Sequence, residues 1–365
     1  MRVGVLGGGQ LGRMLGIAGV PMGLQFRFLD PSPAPPAAAV GECVCAAYDD
    51  EQGLQRFLEG IEVATYEFEN VPASAAKYLE GHVPVFPGWN ALEVAQDRLH
   101  EKRLFEKLGI PCPNYCAVET LDDLKSALTS VAPPCILKTR RHGYDGKGQH
   151  RIERIEEAEE AWLAIGEREA IVESLVEFDW ECSVLCVRSK DGTSKTYPIV
   201  QNYHRGGILR TSHCPPAVAV PPDLEATAVA YASRIAHDLE YVGVLALEMF
   251  SVGGRLLANE LAPRVHNSGH WTIEGAECSQ FENHLRAVLG WPLGSTEVRG
   301  YSAMVNLIGQ EVDPCSVLSL GAHYHWYGKE VRPGRKVGHV TVVEASAEAR
   351  DKKVSSLQER IAQHA

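Results

Sequence analysis

The sequence has no run of about eighteen apolar residues, the length needed to cross a bilayer, so no membrane-spanning helix is expected among its 365 positions. It has no Cys-x-x-Cys pair. Ten cysteines are present, the closest being Cys43/Cys45, Cys112/Cys116 and Cys182/Cys186, a spacing that suits reduced, mostly buried thiols better than zinc or a redox dithiol. Positive charge is scarce: 35 Lys and Arg against 47 Asp and Glu leave a net charge of −12, and the cations form no extended stripe. A polyanion would be repelled, which removes the main source of nucleic-acid affinity. Small nucleotides are not excluded, because local cations, backbone N–H groups or magnesium-holding carboxylates suffice for them. The opening residues lack the long apolar core and small-residue cleavage site of a secretory signal, so a cytoplasmic location is expected. With 45% hydrophobic and 22% charged residues the composition is that of an ordinary globular protein, long enough for two or three cores.

Short apolar runs at 2–6, 24–29 and 62–66 read as strands, and 11–18, 52–58 and 74–79 read as helices. That alternation is the βαβ pattern of a parallel sheet. The Pro- and Ala-rich stretch 31–38 is expected to be a loop. A polar helix at 98–108, stopped by Gly109-Ile110-Pro111, opens a second region that runs to about residue 300. There, helices near 122–128, 155–165, 224–239 and 280–289 interleave with successive strands such as 181–188 and 194–200, which argues for antiparallel sheets. The tail reads as strands at 302–307, 323–327 and 338–343 closed by a helix from Ala347. The expected division is 1–97, 98–300 and 301–365: an α/β unit with a parallel sheet, an α+β region, and a small β-rich unit.

Five segments carry chemistry. Gly7-x-Gly9-x-x-Gly12 follows a strand and opens a helix, and Asp30 ends the second strand near where a ribose-binding acid would stand. A dinucleotide-dependent dehydrogenase is therefore a rival reading, although no other segment offers a hydride-transfer site. Lys138 closes a strand and is followed by Gly143, Tyr144, Asp145, Gly146, Lys147, Gly148 and Gln149. Such a loop can fold over a polyphosphate, lacks the Walker spacing, and is equally compatible with a solvated hairpin turn. Glu248 and Glu260 lie in apolar surroundings on two strands joined through Gly253-Gly254, so a hairpin can bring both carboxylates to one face. Two buried carboxylates need a shared cation, for which magnesium is suited, or separate partners such as Arg255 and Arg264. Arg264 and His266 follow at once, in a loop dense in hydrogen-bonding groups that could hold an anionic intermediate or move protons. Finally, Lys329, Arg332, Arg335 and Lys336 place four cations in eight residues around a Pro-Gly turn, either a phosphomonoester clamp or a solvated loop.

In this order the segments resemble the ATP-grasp superfamily, and within it the synthases that carboxylate an aminoimidazole ribonucleotide. The likeness is carried by Gly9–Met14, Thr65–Val71, Gly143–Gln149, Asn259–Trp271 and Lys329–His339. It implies an ATP-grasp fold, a homodimer, and ATP with Mg2+ held between two α+β subdomains. By the resemblance, Arg98, Lys138, Gly143–Gln149, Glu173, Ser174, Leu175, Val176, Glu181, His204, Asn259 and Glu260 would contact ATP, and Glu248 and Glu260 would hold the metal. Arg264 and His266 would serve bicarbonate and carboxyphosphate. Tyr144 and Asp145 would face the ribonucleotide, Lys329, Arg332, Arg335 and Lys336 its 5′-phosphate, and Gln10 and Glu67 would add contacts from the first unit. The implied reaction is ATP- and bicarbonate-dependent carboxylation of the amine, with a formate-dependent glycinamide ribonucleotide transformylase as the nearest alternative. Arg141-His142 stands where the pattern favours a small residue before Gly143.

Overall fold

The computed structural model describes residues 1–141, 143 and 148–363. The first unit is β1 (Arg2–Leu6), α1 (Gln10–Gly19), β2 (Gln25–Asp30), β3 (Glu42–Cys45), α2 (Glu51–Leu58), β4 (Val63–Tyr66), α3 (Ala73–Glu80) and α4 (Trp89–Ala95). Its strands form a parallel sheet in the order β3-β2-β1-β4. Val3, Val5, Phe28 and Tyr66 are all fully buried, as expected of parallel strands covered by helices on both faces. β1 has β2 on one side and β4 on the other, so the chain reverses direction of travel across the sheet there. The crevice outside the carboxyl ends of two such strands is where α/β sheets place ligands, and the turns after β1 and β4 carry Gly7–Gly9 and Glu67–Glu69.

The middle of the chain opens with α5 (Arg98–Lys107), N-capped by Asp97, whose carboxylate accepts from the Leu99 N–H. β5 (Tyr115–Val118), α6 (Leu121–Ser130), β6 (Cys135–Thr139), β7 (Gln149–Ile152), α7 (Ala158–Ala164) and β8 (Ala170–Ser174) follow, their strands forming an antiparallel sheet in the order β5-β8-β6-β7. β9 (Trp180–Arg188), β10 (Ser194–Thr196), β11 (Val200–Arg205), β12 (Ile208–Cys214), α8 (Pro222–Asp238), β13 (Gly243–Val252), β14 (Arg255–Ala262), α9 (Thr272–Gly275) and α10 (Gln280–Leu289) come next. The tail is β15 (Tyr301–Ile308), α11 (Pro314–Leu318), β16 (His323–Trp326), β17 (Lys336–Glu344) and α12 (Ala347–Gln363).

The last eight of these strands other than β10 form one antiparallel run, β14-β13-β9-β11-β12-β15-β17-β16, with β10 added on β9. The tail strands therefore hydrogen-bond straight onto β12, through pairs such as Thr211 with Val305. β13 shows how the sheet aims its chemistry. Leu245, Leu247 and Met249 point into a core with α8, while Val244 and Ala246 on the other face join the core containing Trp271 and Phe281. Glu248 and Phe250 continue that second face beyond its apolar part and line an open cavity. Among the described residues no helix is long and apolar enough to cross a membrane.

Candidate active site

A cavity of about 1050 Å³ lies where the three sheets meet. The parallel sheet contributes Gln10, Asp30, Glu67 and Glu69; the small sheet contributes Lys138 and Gln149, with Gly143 from the loop between them; Arg98 comes from the start of α5. The large sheet contributes Glu181, His204, Glu248, Asn259 and Glu260, followed by Arg264 and His266. Lys329, Arg332, Arg335 and Lys336 complete the lining. Residues spread from position 10 to position 336 thus share one space. Tyr144, Asp145, Gly146 and Lys147, expected at the same site, lie outside the described residues.

Glu248 and Glu260 are directly opposite each other on β13 and β14. Immediately beyond this pair the register shifts, so that Met249 faces Ala258 and Asn259 is an extra residue on β14. In a regular strand neighbours point to opposite faces; the bulge lets Asn259 and Glu260 both line the cavity. Burial, with the Glu260 and Glu181 charges adding, pushes the Glu248 carboxyl up to about 7 although His204 and Lys336 oppose it. Arg98 Nη1 lies 3.4 Å from Glu260 Oε2, and His266 Nε2 lies 3.2 Å from Glu248 Oε1. Arg264 is paired through Nε with Glu69. Burial alone would raise the Glu69 carboxyl, but the Arg264 guanidinium outweighs it and holds the group low.

Lys138 Nζ donates to Glu173 Oε2 at 2.7 Å, and Lys102 Nζ approaches Glu173 Oε1 at 3.4 Å. Burial works to raise the Glu173 carboxyl, yet the two ammonium groups bring it down to about 2. Glu173 is only 2% exposed: it lies beneath the cavity as the anchor of Lys138, with Ser174, Leu175 and Val176 continuing half-buried from the strand end. Glu181 Oε2 sits 2.8 Å from His204 Nδ1. That pair, together with Lys138 and Arg98, gives the cavity lining the mixed charge expected around a nucleotide. In the cationic segment Arg332 pairs with Glu330 at 2.5 Å, and Arg335 Nη1 donates to the Glu330 carbonyl at 3.3 Å.

The glycine turn is already satisfied from within. Gly8 N–H donates to Asp30 Oδ2 at 2.8 Å, Gly12 N–H to Glu67 Oε2 at 2.6 Å, and Gly9 N–H to Glu67 Oε1. A β-carbon on Gly7, whose φ is +98°, would sit 2.5 Å from Glu67 Cγ. These glycines make room for the chain's own carboxylate, and the Gly8, Gly9 and Gly12 amides are taken by carboxylates that would exclude a pyrophosphate from them. The two observations behind the dehydrogenase reading, the glycine turn and Asp30, are thus engaged within the chain. Four residues the sequence reading did not single out emerge here: Glu69, Asp97, Lys102 and Glu101. Asp97 is fully buried and binds Arg140 at 2.9 and 2.6 Å, at the base of the glycine-rich loop. Glu101 accepts from the Leu261 N–H at 2.6 Å, beside Glu260.

Comparison with known proteins agrees with this geometry. Three family descriptions match in succession: a ribonucleotide synthetase preATP-grasp domain over residues 1–96, an ATP-grasp domain over 103–281, and a phosphoribosylaminoimidazole carboxylase C-terminal domain over 302–353. An N5-carboxyaminoimidazole ribonucleotide synthase of Pseudomonas aeruginosa is 48% identical over 343 residues, 94% of each chain. The chain belongs to the N5-carboxyaminoimidazole ribonucleotide synthase family. A crystal structure of a family member from Thermus thermophilus is 55% identical and superposes with a TM-score of 0.95 over 98% of both chains. A third member, from Aspergillus clavatus, was solved with ADP and 5-aminoimidazole ribonucleotide; it is 29% identical, with a TM-score of 0.90 over 99% of this chain and 98% of that one.

Proposed function

We propose that this chain uses ATP and bicarbonate to carboxylate the exocyclic amine of 5-aminoimidazole ribonucleotide. What carries the reading is one cavity lined by two differently built groups of residues. Lys138, Arg98, Glu181 and His204 are read as ATP contacts, and Lys329, Arg332, Arg335 and Lys336 as contacts to a ribonucleotide phosphate; all of them line the one cavity. Arg264, fixed by Glu69, lies on the same wall. In the first step a bicarbonate oxygen bonds to the γ-phosphorus as the bond to ADP breaks, giving carboxyphosphate. In the second the amine nitrogen bonds to the carboxyl carbon, phosphate leaves and the amine gives up a proton. No protein nucleophile is required; positioning and charge stabilisation supply the rate.

Arg264 would hold the carboxyphosphate, and His266 would orient it. Gln10 is read as a substrate contact, while Glu67 holds the turn that presents Gln10. Tyr144, Asp145 and Lys147 keep the loop roles implied by the resemblance. The carboxylate pair fits magnesium: both donors are oxygens, and the Glu248 carboxyl, raised first by burial and then by Glu260 and Glu181, marks a place where a cation would favour the charged form. When bound at Glu248 and Glu260, the ion would neutralise triphosphate charge. The same reading divides the chain at about residues 97 and 300, supported by the matched ranges, and expects a homodimer, for which sedimentation is the check. Phosphate release measured with 5-aminoimidazole ribonucleotide should depend on bicarbonate. Dependence on formate and glycinamide ribonucleotide instead would reject the assignment.

A further inference from the structure

His266 is the cavity residue with the most elaborate support, and the support begins three strands away. Its backbone is held by one side chain: His266 N–H donates to Gln280 Oε1 at 2.9 Å and Gln280 Nε2 donates to His266 O at 2.7 Å. The ring is held separately. Nδ1 accepts from the Ser268 backbone N–H at 3.3 Å and lies 2.9 Å from Ser268 Oγ, while Nε2 lies 3.2 Å from Glu248 Oε1.

A backbone amide can only donate, so that long contact biases Nδ1 toward its unprotonated form, and the orientation of the Ser268 hydroxyl beside it completes the choice. Nδ1 carries no proton, and Ser268 Oγ–H donates to it as well. Ser268 Oγ then accepts from Ser183 Oγ–H at 2.8 Å, and Ser183 Oγ accepts from Asn202 Nδ2 at 3.0 Å. Only one orientation of the Asn202 amide satisfies this, and in it Oδ1 accepts from Ser212 Oγ–H at 2.8 Å. The donors all run one way, from Ser212 on β12 through Asn202 on β11 and Ser183 on β9 to Ser268, His266 and Glu248. Ser183 is also the direct cross-strand neighbour of Glu248.

Ser183, Ser212 and Ser268 are fully buried and Asn202 is 3% exposed. Such groups are costly in a core unless every one is bonded, and apolar residues would pack the same space without that requirement. The polarity of the chain is what they add. With both tautomers of an isolated imidazole open, a chain of donors ending at Nδ1 leaves one.

We propose that Ser183 and Asn202 are positioning residues of the carboxylation reaction, acting through Ser268 to hold His266 in the tautomer whose proton is on Nε2 and faces Glu248 and the cavity. The proposal rests on the function assigned above for its rate effects, but not for the tautomer itself. Asn202→Asp tests it with a near-isosteric change. A carboxylate only accepts, so Ser183 O–H turns toward position 202 and no longer donates to Ser268, whose hydroxyl is then free to accept from a His266 Nδ1–H as readily as to donate to Nδ1. Ser183→Ala removes the same link without adding charge and covers the case in which the first variant does not fold.

The full-length chain with 15N-labelled histidine, assigned at His266 by comparison with His266→Gln, reports the tautomer directly from its two ring-nitrogen shifts. Wild type should show a non-protonated Nδ1; both variants should move toward an average of the two forms. Turnover should fall about tenfold or more with the KM for ATP within twofold, and Ser183→Thr, which keeps the hydroxyl, should restore both readouts. A wild-type His266 protonated on Nδ1, or variants with wild-type ring shifts, would overturn the proposal whatever the substrate. The reaction assignment stands or falls on wild-type turnover alone, so the two failures separate.

Discussion

Replacing Glu173 with Gln should remove the one anion that two buried ammonium groups share. The Glu173 side chain is 3% exposed, against 10% for Lys138 and 0% for Lys102, so solvent can screen little of the loss. Folding takes the carboxyl from its ordinary 4.5 to about 2, and at 1.36 kcal/mol for each tenfold change in proton affinity that is about 3 kcal/mol. The figure agrees with the ~3–5 kcal/mol lost when one member of a buried ion pair is removed. The pH dependence follows in sign. A depressed folded value means that the unfolded chain binds the proton more readily, so the stabilisation is complete above 4.5 and fades as pH falls toward about 2. Urea unfolding near neutral pH should show the loss in Glu173→Gln, and a series taken into acid should show the difference between the two proteins shrinking. A loss below about 1 kcal/mol, the worth of a solvent-exposed pair, or a difference independent of pH, would refute the reasoning.

Three further outcomes are expected. Glu260→Gln should lower turnover by about a hundredfold or more and raise the magnesium concentration needed for nucleotide binding in calorimetry; near-normal values would show that the metal is held elsewhere. Lys329→Ala should raise the KM for the ribonucleotide by about tenfold, the equivalent of one charge-assisted hydrogen bond, and an unchanged KM would remove it from the phosphate contacts. NADH should leave the intrinsic fluorescence unchanged, because the Gly8, Gly9 and Gly12 amides are taken by carboxylates; saturable quenching would contradict that arrangement.

Most helices and strands were legible because burial repeats at short range. The expected strand at 2–6 is β1, and the helix at 280–289 is α10. β3 escaped notice because Glu42–Cys45 is an exposed edge with no alternating apolar face. The single strand expected at 194–200 is divided into β10 and β11, and the division falls at Pro198, which has no N–H to offer a ladder. In the site, the carboxylate pair was legible because a Gly-Gly turn sets its register. Glu69 was not, although it lies two residues from Glu67, because its partner Arg264 is 195 positions away and no local period joins them. The glycine turn misled in an instructive way. Spacing reports that a close neighbour needs room, but not whether that neighbour is a ligand or the chain's own Glu67. The donor chain to His266 crosses β12, β11 and β9, and its members look in sequence like ordinary strand serines and an asparagine.

The irregularity at Asn259 makes spacing here less forgiving than chemistry. Deleting Asn259, the one residue between Ala258 and Glu260, would restore plain alternation and remove one of the two cavity groups, whereas exchanging its amide for another polar side chain would leave the geometry intact. Length variation along this hairpin should therefore collect at the Gly253-Gly254 tip, and a relative that kept both acids but changed their separation would have to hold its ligand differently.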